Sequence, residues 1–264
     1  MAVTDIIRER KSVRSYSGVP LDVAHIADIK EYVSGLPQPL GGRARVETVS
    51  RDVGSGGVKL GTYGMISGAS DFLVLIYEDG PMAAENAGYL FERVILYCTE
   101  KGLGTCWLGG TFKKSGFTAH VEVVDNELLR IVSPVGYPAS GTGFRDRIIR
   151  AGVGSDRRKP FGELFFDRVS GKPLERGGPY DTPLEMVRLA PSANNSQPWR
   201  IMVDETGAHF CFLQKSRLTD IDMGIAMSHF ELACREAGIA GKYEIVTDVT
   251  VPAGMNYLAS WLPE

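Results

Sequence analysis

Long apolar runs are missing from this chain of 264 residues. The longest, Phe72–Tyr77, has six residues, whereas a helix that crosses a membrane needs about 20. Charged residues begin at Asp5, too early for the apolar core of a signal peptide. Neither sign of charge dominates, because 29 Lys and Arg face 32 Asp and Glu, for a net charge of −3. We therefore expect a cytoplasmic protein with no membrane or nucleic-acid partner.

Cysteine is also scarce, with four residues and no Cys-x-x-Cys pair. No spacing typical of metal ligands occurs, so we expect neither a disulfide framework nor a metal site. Each cysteine lies in an apolar stretch, which is typical of buried, reduced thiols. The four are Cys98, Cys106, Cys211 and Cys234.

Histidine is equally rare, and its four residues are scattered along the chain. No Gly-x-Ser-x-Gly elbow is present, and we expect no Ser-His-Asp arrangement. Glycine is plentiful, at 31 residues, but the runs Gly54–Gly57 and Gly152–Gly154 do not follow the strand–helix pattern of phosphate-binding loops. These patterns exclude a side-chain nucleophile and a dinucleotide fold. The histidines, expected on the surface or in the core, are His25, His120, His209 and His229.

An internal repeat is visible when the chain is compared with itself. At an offset of 136, five residues of the first half fall on identical residues of the second, in 15 ungapped positions. These are Gly88, Leu96, Cys98, Glu100 and Gly102, which fall on Gly224, Leu232, Cys234, Glu236 and Gly238. At an offset of 153, Ser17–Leu21 falls on Ser170–Leu174. The sequence therefore predicts a duplication, with one half at 1–158 and a shorter one at 159–264.

Each half has the same predicted elements. A short helix (Val23–Val33, then Thr182–Leu189) precedes apolar strands, which include Leu73–Tyr77 and His209–Leu213. A long helix with one apolar face follows, on which residues such as Leu90, Val94 and Cys98, or Met223, Met227 and Phe230, recur at helical spacing. Gly102 and Gly238 are expected as left-handed C-caps, and Thr219 or Asp220 as an N-cap. We expect an α+β fold whose two long helices pack together, so that one chain is a pseudo-dimer.

The two halves differ where a ligand could bind. In an extended segment Arg10, Ser12 and Arg14 point to one side, and two guanidinium groups with a hydroxyl suit a phosphate dianion. A short basic segment on its own is more often a solvated face. At the offset of 153 the opposite positions carry Glu163, Phe165 and Asp167, which cannot bind an anion.

The second half carries its own distinctive loop, Ala190–Trp199. Small polar residues braced by two prolines suit a rigid loop that offers hydrogen bonds to a flat polar ligand, although a capped turn with a packed Trp has a similar pattern. The first-half counterpart, Gly35–Arg43, keeps Pro37 but lacks the Asn and Trp. We therefore expect one composite site, with an anion clamp from one half and a polar loop from the other.

These motifs together resemble the FMN-dependent nitroreductase family. The matching features are Arg-x-Ser-x-Arg near the N-terminus, Pro-Ser-x-x-Asn-x-Gln-Pro-Trp, and the helix end Gly102–Gly110. Gly136–Pro138 followed by Arg157–Pro160 is similar to the family's closing segment. Because the Pro-Ser loop is intact only in the second half, the chain is most similar to the subgroup with two fused nitroreductase-like halves.

The resemblance implies a role for each matching residue. Arg10, Ser12 and Arg14 would hold the FMN phosphate, with Arg158 as a further contact. Gly109 and Gly110 would face flavin N5 and O4 with main-chain amides, which their lack of side chains permits. The loop residues laid along the ring would be Pro191, Ser192, Ala193 and Asn195, with Asn194 and Gln197 as weaker candidates. Lys59 and Tyr63 lie near where the family has a further Asn and Lys on the phosphate side.

The function implied is an NAD(P)H-dependent oxidoreductase with one FMN per chain, acting on nitroaromatic, quinone-like or other electrophilic small molecules. Because FMN supplies the difficult chemistry, no catalytic side chain is required. Three alternatives stay open: an FMN enzyme with another reaction, such as dehalogenation or flavin fragmentation; a flavin-binding sensor without turnover; and an anion-binding module without flavin. A chain that contains both halves of its dimer is expected to be a monomer.

Overall fold

The computed structural model describes residues 1–50, 62, 64–140, 157–213, 215–247 and 249–264. The chain forms two compact units. The N-terminal unit is Glu9–Val153, and the C-terminal unit joins Met1–Arg8 to Gly154–Glu264. The predicted halves 1–158 and 159–264 are the two copies of a sequence repeat, whereas these units are defined by packing. The boundaries of the halves therefore stay a prediction. Outside the described residues lie the two glycine runs, Gly54–Gly57 and Gly152–Gly154, and also Lys59 and Tyr63.

The N-terminal unit is built on a four-stranded antiparallel sheet in the order β1-β2-β4-β3. Every residue of β2 except its last is buried, because this strand lies inside the sheet. The predicted strand Leu73–Tyr77 is therefore confirmed, as is the first predicted helix. The elements are α2 (Val23–Ser34), β1 (Ala44–Ser50), β2 (Asp71–Glu78), α3 (Ala83–Glu100), β3 (Gly104–Thr105), α4 (Lys114–Thr118) and β4 (Glu127–Gly136).

The C-terminal unit contains a five-stranded sheet in the order β5-β6-β7-β9-β8. All its pairs are antiparallel except β5 with β6, which is parallel. The predicted helix Thr182–Leu189 and the second predicted strand are confirmed within one or two residues. The elements are α1 (Val3–Glu9), α5 (Phe161–Leu164), β5 (Phe165–Asp167), α6 (Asp181–Leu189), β6 (Trp199–Asp204), β7 (Gly207–Phe212), α7 (Thr219–Glu236), β8 (Gly241–Glu244) and β9 (Asn256–Pro263).

The two units share one topology. In each, two antiparallel strands precede a long helix and two more strands follow it, so that β1-β2-β4-β3 corresponds to β6-β7-β9-β8. The helices α3 and α7 both have 18 residues. Their first residues, Ala83 and Thr219, are 136 positions apart, and so are their last, Glu100 and Glu236. The sequence offset of 136 thus coincides with a structural correspondence.

Both long helices end in the same way. Gly102 has φ +73° and Gly238 has φ +75°, which confirms the two left-handed C-caps. The amide of Leu103 donates to the carbonyl of Cys98 at 2.8 Å, and Ile239 donates to Cys234 at 2.9 Å. These bonds are the long-range closure of a Schellman motif.

The predicted N-cap of α7 is wrong. The helix already includes Thr219, and the cap position is Leu218, whose side chain offers no hydrogen bond. The Thr219 hydroxyl instead accepts from the amide of Ser216 at 2.8 Å. The side chain that the sequence assigned to the helix end thus stabilises the preceding turn.

The expectation of a single apolar face on α3 is also incomplete. Glu85, Asn86, Glu92 and Arg93 are buried together with the apolar residues, so α3 is enclosed nearly all round. Such burial requires polar partners, and the indole of Trp107 donates to Glu92 at 2.9 Å.

In the described part of the chain, no helix combines the length and apolarity needed to cross a membrane.

The repeat at the offset of 153 fails as a structural equivalence. Ser12 forms a parallel bridge with Thr105 of β3, whereas β5 pairs with β6. Since β6 corresponds to β1, the two segments lie at opposite edges of the corresponding sheets. Only the Ser-Gly-x-Pro-Leu turn is shared, with φ +83° at Gly18 and +67° at Gly171. The assignment of Glu163, Phe165 and Asp167 as counterparts of Arg10, Ser12 and Arg14 is therefore wrong.

All four cysteines are buried thiols, as expected. Burial disfavours the thiolate and raises the pKa of Cys98, Cys211 and Cys234 to about 12. These thiols are therefore protonated at neutral pH and are not nucleophiles.

The matched caps generate a test. Gly102→Ala and Gly238→Ala should each lower the free energy of unfolding by about 1 kcal/mol, because a Cβ is unfavourable at positive φ. No described atom lies within 4 Å of either new Cβ, so strain of the backbone is the whole effect. Gly80→Ala, which is equally open but lacks a positive φ, is the control. Chemical denaturation measures all three, and unequal losses at the two caps would contradict the equivalence.

Candidate functional site

The Arg-x-Ser-x-Arg segment follows α1 and is extended. Ser12 bridges to Thr105, and the amide of Val13 donates to the Thr105 carbonyl at 2.8 Å. Further along, the carbonyl of Arg14 accepts from the amide of Ser67 at 2.9 Å. The segment therefore extends the β3 edge of the N-terminal sheet, and the alternation of an extended chain turns positions 10, 12 and 14 to one side.

Three guanidinium nitrogens of this segment have no hydrogen-bond partner in the part of the chain that the structure describes. Nε of Arg10, and Nε and Nη1 of Arg14, are buried without a hydrogen-bond partner among the described residues. Buried donors on cations are costly unless an acceptor satisfies them. Three such atoms on two residues that face the same side make this segment a candidate anion site.

The Gly109–Gly110 turn follows shortly after β3, the strand to which this segment bridges. It begins four residues after Thr105, the bridge partner of Ser12. Close packing is required just before it, because a Cβ on Gly104 would come within 2.8 Å of the Val13 side chain. At Gly110, by contrast, a Cβ would meet no atom within 4 Å. The N-terminal unit thus brings the clamp residues and an open glycine turn to one sheet edge.

The Ala190–Trp199 loop of the C-terminal unit has an unusual backbone. Asn194, Asn195 and Gln197 have φ of 51°, 55° and 48°. Among the described residues other than glycine, only Met82 shares a positive φ. Asn adopts left-handed backbone more readily than other residues, whereas Gln does so at a cost. Three such positions within four residues are held where the surroundings impose them, which often marks a functional site.

Hydrogen bonds from the preceding segment hold the loop. Nη1 of Arg158 donates to Oδ1 of Asn195 at 2.8 Å, and Nδ2 of Asn195 donates to the Arg157 carbonyl at 2.7 Å. The Gln197 side chain accepts from the amide of Lys159 at 2.8 Å. The side chains of Asn195 and Gln197 therefore attach the loop to the segment 157–159.

Arg158 also caps the helix before the loop. Its guanidinium donates to the carbonyls of Leu189 and Ala190 at 2.9 and 3.0 Å, at the end of α6. Cations at a helix C-terminus satisfy carbonyls that lack helical partners. The structure thus shows Arg158 as a brace of the loop, and the expected phosphate contact stays a prediction.

Asp222 is a site residue that the sequence reasoning missed. The amide of Ala193 donates to both of its carboxylate oxygens, at 3.0 and 3.2 Å. Burial raises the pKa of Asp222 to about 7, against the opposing effect of the hydrogen bonds from Ala193 and Ser196. The signal that could have found it is an acidic residue in the first turn of the helix that follows the loop.

The expected ring-covering residues differ in exposure. Asn194 is exposed, and Pro191, Ser192 and Ala193 are partly exposed. The Ser192 hydroxyl accepts from the amide of Gln197 at 2.9 Å. The loop therefore presents Asn194 and, in part, residues 191–193 and 195 at its surface, with Gln197 buried behind them.

The expectation that no Ser-His-Asp arrangement exists is wrong. Nδ1 of His209 lies 2.7 Å from the Ser260 hydroxyl, and Nε2 lies 3.2 Å from Asp204 Oδ1. The hydroxyl of Tyr257 also bonds Ser260, at 2.8 Å. However, Ser260 is 0% exposed, so no substrate can reach its hydroxyl. The triad links β6, β7 and β9, and its role is structural.

A family model described as "Putative TM nitroreductase" matches residues 2–234. The chain belongs to this nitroreductase family. A search of curated proteins found no match.

Solved nitroreductase structures resemble the chain at low identity. A "putative nitroreductase" from Thermotoga maritima is 18% identical, with a TM-score of 0.63 over 99% of this chain and 94% of that one. A nitroreductase with bound FMN from Bacteroides fragilis is 16% identical, with a TM-score of 0.44 over 55% of this chain and 92% of that one. An FMN-dependent nitroreductase from Clostridium difficile is 18% identical, with a TM-score of 0.42 over 52% and 88%. The Thermotoga structure shows a shared nitroreductase-like fold.

The stability of the protein should decrease as pH rises from about 4 to about 7. An aspartate ordinarily has a pKa of 3.8, whereas burial raises the pKa of Asp222 in the folded chain to about 7. Between these values the folded chain keeps a proton that the unfolded chain has lost, so a rise in pH favours unfolding; above pH 7 the effect is constant. At about 1.4 kcal/mol per tenfold change in proton concentration, the free energy of unfolding in urea should be about 2–3 kcal/mol larger at pH 5 than at pH 8.

Asp222→Asn is the matched control for this pH effect. The amide does not titrate, whereas all other ionisable groups are unchanged. The part of the pH difference that belongs to Asp222 should therefore vanish in this variant. Identical pH 5 and pH 8 differences in the two proteins would contradict the assignment.

Proposed function

We propose that this nitroreductase family member is an FMN-dependent oxidoreductase that carries electrons from NAD(P)H to small electrophilic acceptors, nitroaromatic or quinone-like, by ping-pong hydride transfer. The observation that carries the proposal is the set of buried guanidinium nitrogens on Arg10 and Arg14 that find no acceptor within the described chain. In a nitroreductase, the anion that such a pair of forks would bind is the phosphate of FMN.

The residues present fit the phosphate of FMN. Arginine forks match phosphate oxygens in pairs, and charge-assisted hydrogen bonds are the strong ones. The Ser12 position between Arg10 and Arg14 adds a hydroxyl on the same side of the segment. The fixed backbone of this segment, bonded to Thr105, means that little order has to be gained on binding.

The glycine turn suits the flavin ring. Bound FMN would accept a hydride from the donor and pass it to the acceptor. Gly109 and Gly110 would present main-chain amides to the ring edge, and the open space at the Cβ position of Gly110 is compatible with close approach. The task of the chain is then to bind and orient, which is consistent with a Ser260 hydroxyl that is buried and with thiols that stay protonated.

The proposal includes a fused pseudo-dimer, in which the Ala190–Trp199 loop of the second half covers the flavin held by the first. The shared strand order of the two units and the equal lengths of α3 and α7 support an origin by duplication. The strained loop, with its exposed Asn194, supports a binding role. Such a chain contains its own partner half and would be a monomer.

One flavin per chain is proposed because the second half lacks a clamp. In the described residues no segment pairs with the outer edge of β8, the strand that corresponds to β3. At the offset of 136, Ile245 and Val246 replace Gly109 and Gly110. The single flavin is therefore supported by the edge of β8, to which no described segment pairs, and by the missing glycines. Glu163 does not support it, because it lies in α5, just before β5 at the opposite edge of that sheet.

FMN binding can be tested by charge reversal. Arg14→Glu should weaken FMN affinity by roughly 10- to 100-fold, because a hydrogen bond to a charged group contributes about 1.5–3 kcal/mol. Arg8→Glu is the matched control, since Arg8 is exposed and pairs only locally with Asp5 at 3.3 Å. Quenching of flavin fluorescence measures both affinities and the stoichiometry. Equal affinities, or two flavins per chain, would contradict the proposal.

The reductase activity has its own test. Anaerobic addition of NADH or NADPH to the FMN-loaded protein should bleach the visible flavin absorbance, and addition of a nitroaromatic or a quinone should restore it. A flavin that binds but is never bleached would disprove the reductase and favour a sensor. A chain that takes up no FMN would favour an anion-binding module.

A further inference from the structure

The long helices of the two units carry polar residues at one corresponding position. Asn86 is the fourth residue of α3 and Asp222 the fourth residue of α7, and the two are 136 positions apart. Both are buried, with 0% and 3% exposure. Buried polar side chains in the first turn of a helix require partners.

Each of these residues holds the proline-containing loop of its own unit. The amide of Leu40 donates to Oδ1 of Asn86 at 3.3 Å, and Nδ2 of Asn86 donates to the Gln38 side chain at 3.0 Å. The amide of Ala193 donates to Asp222 at 3.0 Å. The position therefore has the same task in both units, which is to fix a loop to the start of the long helix.

The two loops differ in the backbone conformation that this contact must hold. The loop on Asn86 contains no strained residue other than glycine, whereas the loop on Asp222 has left-handed Asn194 and Asn195 immediately after the anchored amide. A strained backbone relaxes unless fixed contacts over-determine it. The contact from Ala193 to Asp222 fixes one end of the strained stretch, and the bonds from Arg158 to Asn195 fix the other.

We propose that Asp222 is a positioning residue, which holds the loop Pro191–Asn195 in the conformation that contacts FMN. The inference rests on the proposed function, because it assigns to Asp222 a part in the same flavin site. The residue acts through the backbone of Ala193 and does not itself touch the cofactor.

The geometry of the contact determines which substitutions can replace the carboxylate. An amide at position 222 keeps one oxygen that can accept from Ala193. The Ser196 hydroxyl, which bonds Asp222, can either donate or accept and so adapts to the amide. Alanine offers no acceptor, and the side chain of serine is too short to reach the loop amide.

The experiment compares FMN dissociation constants of the wild type, Asp222→Ala, Asp222→Asn and Asn86→Ala. Asp222→Ala should bind FMN about tenfold more weakly, the factor that corresponds to about 1.4 kcal/mol, and Asp222→Asn should stay within about threefold of the wild type. Asn86→Ala, which loses the corresponding anchor in the other unit, should retain wild-type affinity. Thermal melts verify that each variant is folded, and Asp222→Ser replaces Asp222→Ala if the latter does not fold.

The outcomes separate this inference from the proposed function. Wild-type affinity in Asp222→Ala, or an equal loss in Asn86→Ala, would overturn the positioning role while FMN binding itself stands. An Asp222→Asn variant as weak as Asp222→Ala would also overturn it, because the retained acceptor should rescue binding. A wild-type chain that takes up no FMN would overturn the proposed function, and this inference with it.

Discussion

Buried guanidinium donors that find no acceptor among the described residues are the constraint on which the proposed site depends. A guanidinium can be neither deprotonated nor left without acceptors inside a protein at low cost. The backbone bonds of Val13 to Thr105 and of Arg14 to Ser67 hold the segment that carries both arginines against the sheet edge. Among the described residues these donors have no acceptor, and the proposed function supplies one in the phosphate of FMN.

The two parts of the proposed site, the Arg10–Arg14 clamp and the Ala190–Trp199 loop, differ in which of their groups are satisfied. The clamp has unsatisfied donors on a relaxed, extended backbone. The loop has an unfavourable backbone in which Asn195 and Gln197 are fully engaged by their neighbours. Their donors and acceptors are used inward, so that the outward surface of the loop, including Asn194, keeps a defined shape. Preorganisation of this kind lowers the cost of binding a rigid, flat ligand.

Much of the fold could be predicted from local patterns, since helix periodicity, apolar strands and the Gly102 and Gly238 caps depend on neighbouring residues. The repeat at the offset of 136 also proved structural. The predictions that failed depend on distant contacts. A short run of identical residues could not reveal at which sheet edge β5 pairs, and the hydrogen bond between Ser260 and His209 joins two different strands. Asp222 was missed because its importance comes from the Ala193 amide, 29 positions away, and not from its own surroundings in the sequence.

The first helix carries a consequence for the order of synthesis. The amides of Val3 and Thr4 donate to the carboxylate of Glu236, at the end of α7. Segments made early by the ribosome normally fold as they emerge, but the opening residues of this chain must wait for a partner that is translated more than two hundred positions later. The C-terminal unit therefore closes only after α7 has been made, and Glu9–Val153 can be complete before it.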